Sequence, residues 1–215
     1  MKFLERVRTP ERKSVQKQLL LCIGVLALGV LLGVFQKYLD ISQAELPPFL
    51  MKIDELLDLG NFLGSFSPWM IAAVCIAVYS CSPIWAGIKV FCFFAGMTTS
   101  YYLYSYYVGG FFPKSYAMIW AVLTMISPFL AFLCWYAKGK GWFSLLISAG
   151  ILGFMLNTAF AYGFWYLDIR SGLDILMLLL GILILYQNPK KMVFELTLAI
   201  PFAILMRSLI PFEIW

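Results

Sequence analysis

The chain has 215 residues and a formal net charge of +5, and it is 62% hydrophobic but only 13% charged. Average soluble domains contain roughly 45–50% apolar and roughly 25% charged residues. A soluble fold therefore has too little interior for this apolar surface, and the mean hydropathy of +0.87 points the same way. The absence of His excludes His-metal centres and Ser-His-Asp triads. These numbers predict an all-α, polytopic integral membrane protein.

The first 17 residues form a basic segment with six Lys or Arg residues. No small-residue cleavage site follows the next hydrophobic run, so we interpret residues 1–17 as a retained cytoplasmic tail rather than a signal peptide. Such a tail can also lie on anionic lipid headgroups. Residues 18–215 are predicted to form a single transmembrane helical domain.

Seven apolar stretches are candidates to cross a hydrocarbon layer of roughly 30 Å. They lie at about Gln18–Gln36, Phe62–Ser80, Pro83–Val108, Tyr116–Ala137, Trp142–Tyr166, Gly172–Tyr186 and Pro189–Leu209. Capping signals support three of the starts, namely Ser82-Pro83, Asn188-Pro189 and a capping box from Ser171 to Asp174. The sixth stretch is short for a span.

The distribution of Lys and Arg predicts that the N-terminus is inside and the C-terminus outside. The predicted inner segments hold the six basic residues of the tail and Lys89, Lys138, Lys140, Lys190 and Lys191. The predicted outer segments hold Lys37, Lys52, Lys114, Arg170 and Arg207. We therefore expect a multi-pass membrane protein with the bilayer as its first partner.

The first outer loop contains an amphipathic segment at about 41–61. Its apolar positions recur at helical spacing, as in Phe49, Ile53 and Leu56, while Lys52 and Glu55 fall between them. This pattern predicts a short helix lying on the membrane surface. The alternative is that the segment forms a lid over a central cavity.

Polar groups at membrane depth are the candidate ligand-binding residues. In the third predicted helix, one hydroxyl-bearing stripe either lines a cavity or bonds to neighbouring helices. Its members are Thr98, Thr99, Tyr102 and Tyr106. Asn157 in the fifth helix either forms a hydrogen bond that holds two helices together or contacts a ligand. Glu195 in the seventh is either an interfacial partner of Lys191 or a carboxylate that binds a proton or cation. A transport site would combine five residues, namely Thr99, Tyr102, Tyr106, Asn157 and Glu195.

Small residues four apart offer faces for close helix contact or for a homodimer. They are Gly29 with Gly33, Ala149 with Gly153, and Ala159 with Gly163. The five Cys residues have no CxxC spacing, so neither a disulfide framework nor a metal site is predicted. No cofactor motif or nucleic-acid module is recognisable.

The segments FFAGMTTSYYLYSYY and SPFLAFLCWYAKGKGWFSLLISAG resemble a group of small bacterial multi-pass membrane proteins of unknown function. The resemblance implies a bacterial cytoplasmic membrane but no activity. In size and hydrophobicity the chain is also similar to the six-helix substrate-binding subunits of energy-coupling-factor vitamin transporters. The alanine motif in the first helix of those subunits does not align with residues 24–33.

Three function classes remain open from the sequence. We favour a small-molecule transporter or a membrane substrate-binding subunit. The alternatives are a non-catalytic accessory protein that holds a membrane-protein partner and, least favoured, an intramembrane enzyme. One deep carboxylate and no His leave few options for acid–base catalysis.

Overall fold

A computed structural model describes residues 2–41 and 46–209, and these residues are predominantly helical. The helices are α1 (Lys2–Val7), α2 (Val15–Ile41), α3 (Pro48–Leu57), α4 (Leu59–Gly64), α5 (Ser67–Val78), α6 (Pro83–Tyr107), α7 (Lys114–Trp135), α8 (Gly141–Ala159), α9 (Gly172–Leu185) and α10 (Pro189–Leu209). A 3₁₀ turn (Tyr136–Lys138) follows α7, and two strands, β1 (Phe160–Tyr162) and β2 (Leu167–Ile169), follow α8.

In the described part of the chain, four stretches of helix are long and apolar enough to cross a membrane. They are Val15–Ile41, Lys114–Lys138, Gly141–Ala159 and Pro189–Leu209. Helices α5 and α9 are apolar but shorter, with 12 and 14 residues. At 1.5 Å per residue they extend only about 18 Å and about 21 Å. The helical membrane character predicted from composition is confirmed at this level.

The second predicted helix, Phe62–Ser80, is wrong as one continuous element. The chain forms α4 and then restarts as α5, with Ser65 and Phe66 between them. The backbone N–H of Ser65 donates to the carbonyl oxygens of Asn61 and Phe62, and these hydrogen bonds end α4. Pro68 lies in the first turn of α5, where its missing N–H leaves no helical hydrogen bond unmade.

The fifth predicted helix extended to Tyr166, but α8 ends at Ala159. Residues 160–169 instead form an antiparallel hairpin in which Phe160 pairs with Ile169. The N–H of Gly163 donates to the carbonyl of Tyr166 at 2.9 Å and closes the turn. The aromatic residues here suit a strand as well as an apolar helix, so hydropathy alone did not distinguish the two. Trp165 is 95% exposed at the hairpin tip, consistent with an interfacial ring.

The capping predictions are confirmed in part. The Ser82 side chain accepts from the N–H of Trp85, and Asn188 Oδ1 accepts from the N–H of Lys191 at 2.8 Å. The side-chain oxygen of Ser171 caps α9 by accepting a hydrogen bond from the backbone N–H of Leu173. Oδ1 of Asp174 is buried without a hydrogen-bond partner, so this oxygen does not close the predicted capping box.

The buried side chains form two clusters that share α5. Phe93 of α6 and Trp135 of α7 belong to one cluster, and Leu152 of α8 and Leu185 of α9 to the other. From α5, Trp69 packs into the first cluster and Val74 into the second. The short helix α5 therefore lies between a group formed by α2, α6 and α7 and a group formed by α8, α9 and α10.

Small residues bring helices together inside the chain. A Cβ at Gly29 or Gly33 of α2 would collide with the backbone of α6 at Phe93 or Met97, and one at Gly96 would lie 2.5 Å from the Leu26 carbonyl. A Cβ at Gly153 of α8 would lie 2.9 Å from the Ala199 carbonyl of α10. The faces that carry Gly29, Gly33 and Gly153 are thus occupied within one chain.

The N-terminal segment is folded against the helix bundle rather than being an extended tail. Val7 is buried, and its carbonyl accepts from Lys140 N–H at 2.8 Å. The Arg8 guanidinium donates to the carbonyls of Trp135 (2.5 Å) and Val78 (2.9 Å), and it lies 4.2 Å from the Trp135 ring centroid. Burial lowers the pKa of Arg8 from its usual value. We call the end of the bundle at which Val7 and Arg8 contact Val78, Trp135 and Lys140 the α1 end.

The predicted amphipathic segment at 41–61 is helical where it is described. Residues 42–45 lie outside the described residues, whereas α3 and α4 cover most of the rest. Pro48 starts α3, and Asp58, with φ of 51°, separates α3 from α4. No side chain of α3 is buried, as expected for a helix lying on a surface. Helix α3 follows the C-terminal end of α2, on the side of the bundle opposite the α1 end.

Candidate functional site

A cavity of about 340 Å³ lies beside α2, α6 and α7 on the side of the bundle near α4. Its lining is largely aromatic, with one basic and one acidic side chain. The lining residues are Gln36, Lys37, Asp40, Gly64, Met97, Thr98, Tyr101, Tyr102, Phe111, Pro113, Tyr116 and Trp120. This volume is at the lower end of the range for small-molecule sites, roughly 300–1,000 Å³, and aromatic walls with few polar groups are typical of such sites.

The charged end of this cavity is built around Lys37 of α2. Lys37 is only 3% exposed, and its ammonium lies 2.5 Å from Asp40 Oδ2. The same Nζ lies 5.0 Å from the ring centroid of Tyr101 and 4.9 Å from that of Phe111. A cation near two aromatic rings gains cation–π stabilisation as well as its ion pair. Asp40, by contrast, is 52% exposed and can leave the pair for water.

The apolar wall of the cavity is provided mainly by α6 and α7. Tyr102 is buried, and its ring contacts Tyr101 edge-on at 5.1 Å between centroids. Thr98 Oγ1 lies 3.2 Å from Thr124 Oγ1, and this contact joins α6 to α7 behind the cavity. Together with Trp120, the rings of Tyr101 and Tyr102 form an aromatic surface that ends at the Lys37 ammonium.

The hydroxyl stripe predicted on the third helix does not act as one lining. Thr98 and Tyr102 line the cavity, whereas the other two members do not. Thr99 is exposed, and Tyr106 is 58% exposed. Tyr101, which helical periodicity directs away from that stripe, lines the cavity. The stripe failed as a guide because α2 and α7 contact two different sides of α6, and the cavity opens between them.

Asn157 lies in the other helix group and has both ends of its amide engaged. Its Nδ2 donates to the Ala203 carbonyl at 2.9 Å, and its Oδ1 accepts from Tyr162 Oη at 2.6 Å. Asn157 therefore joins α8 to α10 and to strand β1. A second cavity of about 380 Å³ lies nearby, lined mainly by apolar side chains such as Leu156, Phe160 and Ile200.

Glu195 lies near the α1 end of α10 and is 1% exposed. Its Oε1 lies 3.5 Å from Lys191 Nζ, one helical turn earlier, and has no hydrogen-bond partner. Ser144 and Ser148 of α8 are fully buried in the same region. The structure thus places the five predicted residues in separate surroundings, with Tyr102 at the cavity, Asn157 and Glu195 along α8 and α10, and Thr99 and Tyr106 at the surface.

Sequence reasoning missed the residues that form the charged end of the cavity. Lys37 and Asp40 were assigned to an outer loop after a helix ending at Gln36, but α2 continues to Ile41. Their i,i+3 spacing is the signal that could have placed them together on a helix. Within residues 2–41 and 46–209, no three Cys, Asp or Glu side chains are grouped closely enough to hold a metal ion.

No family model, curated protein or solved structure matches this chain. Any functional conclusion therefore depends on the geometry of the cavity and the buried charges.

Proposed function

We propose that this protein is a multi-pass membrane protein of the bacterial cytoplasmic membrane that binds an anionic amphiphile in the α2–α6–α7 cavity, as a transporter or a membrane substrate-binding subunit. The observation that carries the proposal is a nearly inaccessible ammonium, that of Lys37, at the end of an aromatic cavity of about 340 Å³. A carboxylate or phosphate head would replace Asp40 as the partner of Lys37. The apolar part of the ligand would lie along Tyr102 and Trp120.

In the proposed topology α2, α5, α6, α7, α8, α9 and α10 each cross the bilayer. The N-terminus is inside and the C-terminus outside, and the charged end of the cavity then lies in the outer leaflet. Helices α5 and α9 are too short for a layer of roughly 30 Å unless the bilayer thins locally or flanking residues complete the crossing. Single cysteines introduced at Lys13 and Glu55 test the topology with an impermeant thiol reagent on intact cells. Labelling of both positions from the outside, or of neither, would contradict it.

A fluorescent carboxylate amphiphile, 11-(dansylamino)undecanoic acid, tests the binding site in protein reconstituted in nanodiscs. Because Trp120 lines the cavity, binding should give saturable energy transfer from tryptophan to dansyl. Trp120→Phe keeps an aromatic ring in the cavity wall, so binding should stay saturable while part of the energy transfer is lost. Trp142→Phe is the matched control, since Trp142 is 65% exposed on a different helix.

The Lys37→Met variant tests the charged end. A hydrogen bond to a charged group contributes roughly 1.5–3 kcal/mol, so the dansyl probe should bind about 10- to 150-fold more weakly. Lys52→Met removes an exposed lysine of α3 and should leave affinity unchanged. Equal, non-saturable transfer in wild type and both variants would mean that the probe only partitions into lipid, and it would overturn the proposal.

A further inference from the structure

A second polar site lies at the α1 end, between the 3₁₀ turn and helices α8 and α10. Its members are Lys191 and Glu195 of α10, Ser144 and Ser148 of α8, and Gln187 before α10. Glu195, Ser144 and Ser148 are each no more than 1% exposed, and the Lys191 side chain is 15% exposed. Charged groups are rarely buried in a membrane protein without a functional reason.

Lys191 has hydrogen-bond partners that do not depend on Glu195. Its Nζ donates to the Gly139 carbonyl at 3.0 Å and to Ser144 Oγ at 2.8 Å. With the amide of Gln187 oriented to satisfy its neighbours, Gln187 Oε1 accepts from the same Nζ at 2.7 Å. An ammonium has three N–H donors, so these three neutral oxygens can satisfy all of them.

Glu195 is left with too few donors. Its Oε1 has no hydrogen-bond partner, and the ammonium of Lys191 is 3.5 Å away. The Ser144 hydroxyl is directed to the carbonyls of Ala137 (2.6 Å) and Gly139 (3.0 Å). The Ser148 hydroxyl donates to the Ala137 carbonyl at 3.0 Å and lies beside the Glu195 carboxylate. A buried oxygen without a donor is costly for a carboxylate.

We propose that Glu195 is a reversible proton-binding site of this protein. The carboxylate takes one proton from water and becomes a neutral carboxyl, so the net charge of the Lys191–Glu195 pair rises from zero to +1. Lys191 keeps its hydrogen bonds to Gly139, Ser144 and Gln187 in both states. Lys138 is the other described charged side chain that acts on the pair, through Lys191, and its positive charge opposes protonation. The groups facing Glu195 from α8 and from Gln187 are uncharged.

This site is independent of the proposed ligand cavity, which lies on α2, α6 and α7. The two proposals can therefore fail separately, because proton binding is measured without any ligand. The test is infrared difference spectroscopy of the full chain in nanodiscs during pH titration. A protonated carboxyl gives a C=O stretching band apart from the amide bands, and a weakly hydrogen-bonded one absorbs at the high-frequency edge of the carboxyl region.

We expect such a band to appear as pH falls in wild type. Glu195→Gln should remove the Glu195 component of the band, and Asp174→Asn should leave that component in place. Asp174 is the matched control because it also has a buried oxygen without a partner. A titrating band that is unchanged in Glu195→Gln, or no titrating band in wild type over the pH range in which the protein stays folded, would overturn the proposal.

A second variant keeps the proposal testable if Glu195→Gln does not fold. Lys191→Met retains the carboxyl but removes the adjacent cation, which favours the neutral form. The midpoint of the band should then move to higher pH by at least about one unit. An unchanged midpoint would show that the titrating carboxyl is not the partner of Lys191, and the assignment would be wrong.

Discussion

The close packing of α2 on α6 leads to a quantitative prediction, because α2 carries three glycines in different surroundings. A Cβ at Gly24 would meet nothing within 4 Å. One at Gly29 would collide with the Phe93 carbonyl, and its next contact would be the Met97 nitrogen at 3.1 Å. One at Gly33 would collide with Met97 and Ser100. The same substitution to alanine therefore tests packing on one helix.

The expected magnitude follows from two terms. Replacing Gly by Ala in a helix gains up to about 1 kcal/mol from backbone entropy, and this gain is common to all three sites. Overpacking a closely packed interface costs roughly 1–3 kcal/mol. Because the first term cancels in the comparison, Gly29→Ala and Gly33→Ala should each unfold more easily than Gly24→Ala by about 1–3 kcal/mol.

Reversible unfolding in mixed micelles, with increasing SDS fraction and tryptophan fluorescence as the signal, measures these differences. Gly96→Ala approaches the same interface from α6, where the new Cβ would lie 2.5 Å from the Leu26 carbonyl, and it should resemble Gly29→Ala. Equal stabilities for the Gly24, Gly29 and Gly33 variants would refute the reasoning, since they would show that α2 and α6 are not packed at backbone contact.

Two further substitutions test other contacts by the same unfolding assay. Arg8→Ala removes two charge-assisted hydrogen bonds and a cation–π contact. Because one such bond contributes about 1.5–3 kcal/mol, Arg8→Ala should lower stability by at least that amount, whereas the exposed Arg12→Ala should have little effect. Equal stabilities for the two variants would show that the N-terminal segment is not docked. Asn157→Ala leaves the Ala203 carbonyl and the Tyr162 hydroxyl without their partner, and it should cost about 0.6–1.7 kcal/mol. The exposed Thr197→Ala is its control, and an Asn157 variant as stable as this control would contradict the role in helix packing.

Hydropathy and capping chemistry predicted the long helices well. Ser82 and Asn188 cap the helices that they were expected to start. Both signals are local, because a cap depends on hydrogen bonds within one turn. The errors came where apolar content was equally compatible with two structures. Pro68 restarts a helix inside an apolar stretch, and the residues after Ala159 are apolar and aromatic but form a hairpin.

The candidate site was harder to predict, for a physical reason. Helical periodicity tells which side chains share a face, but not which neighbour that face meets. Thr99 and Tyr102 lie close together in the sequence, yet one is exposed and the other lines the cavity. The same limit applied to the glycines of α2, which were equally compatible with a dimer and with packing inside the chain. Their contact with α6 is a tertiary property.

The buried charges show how the two helix groups differ in their chemistry. Lys37 gains its stabilisation from Asp40 and from two aromatic rings, so its charge is balanced where it lies. Lys191 instead gains hydrogen bonds from neutral oxygens, while the nearest carboxylate oxygen, 3.5 Å from its ammonium, has no hydrogen-bond partner. An exchangeable partner at the first site favours binding of an anion, because Asp40 can move into water. A donor-poor carboxylate at the second favours binding of a proton. The same residue types, a lysine and an acid one turn apart, thus support different chemistry because Asp40 is half exposed to water whereas Glu195 is buried with too few donors.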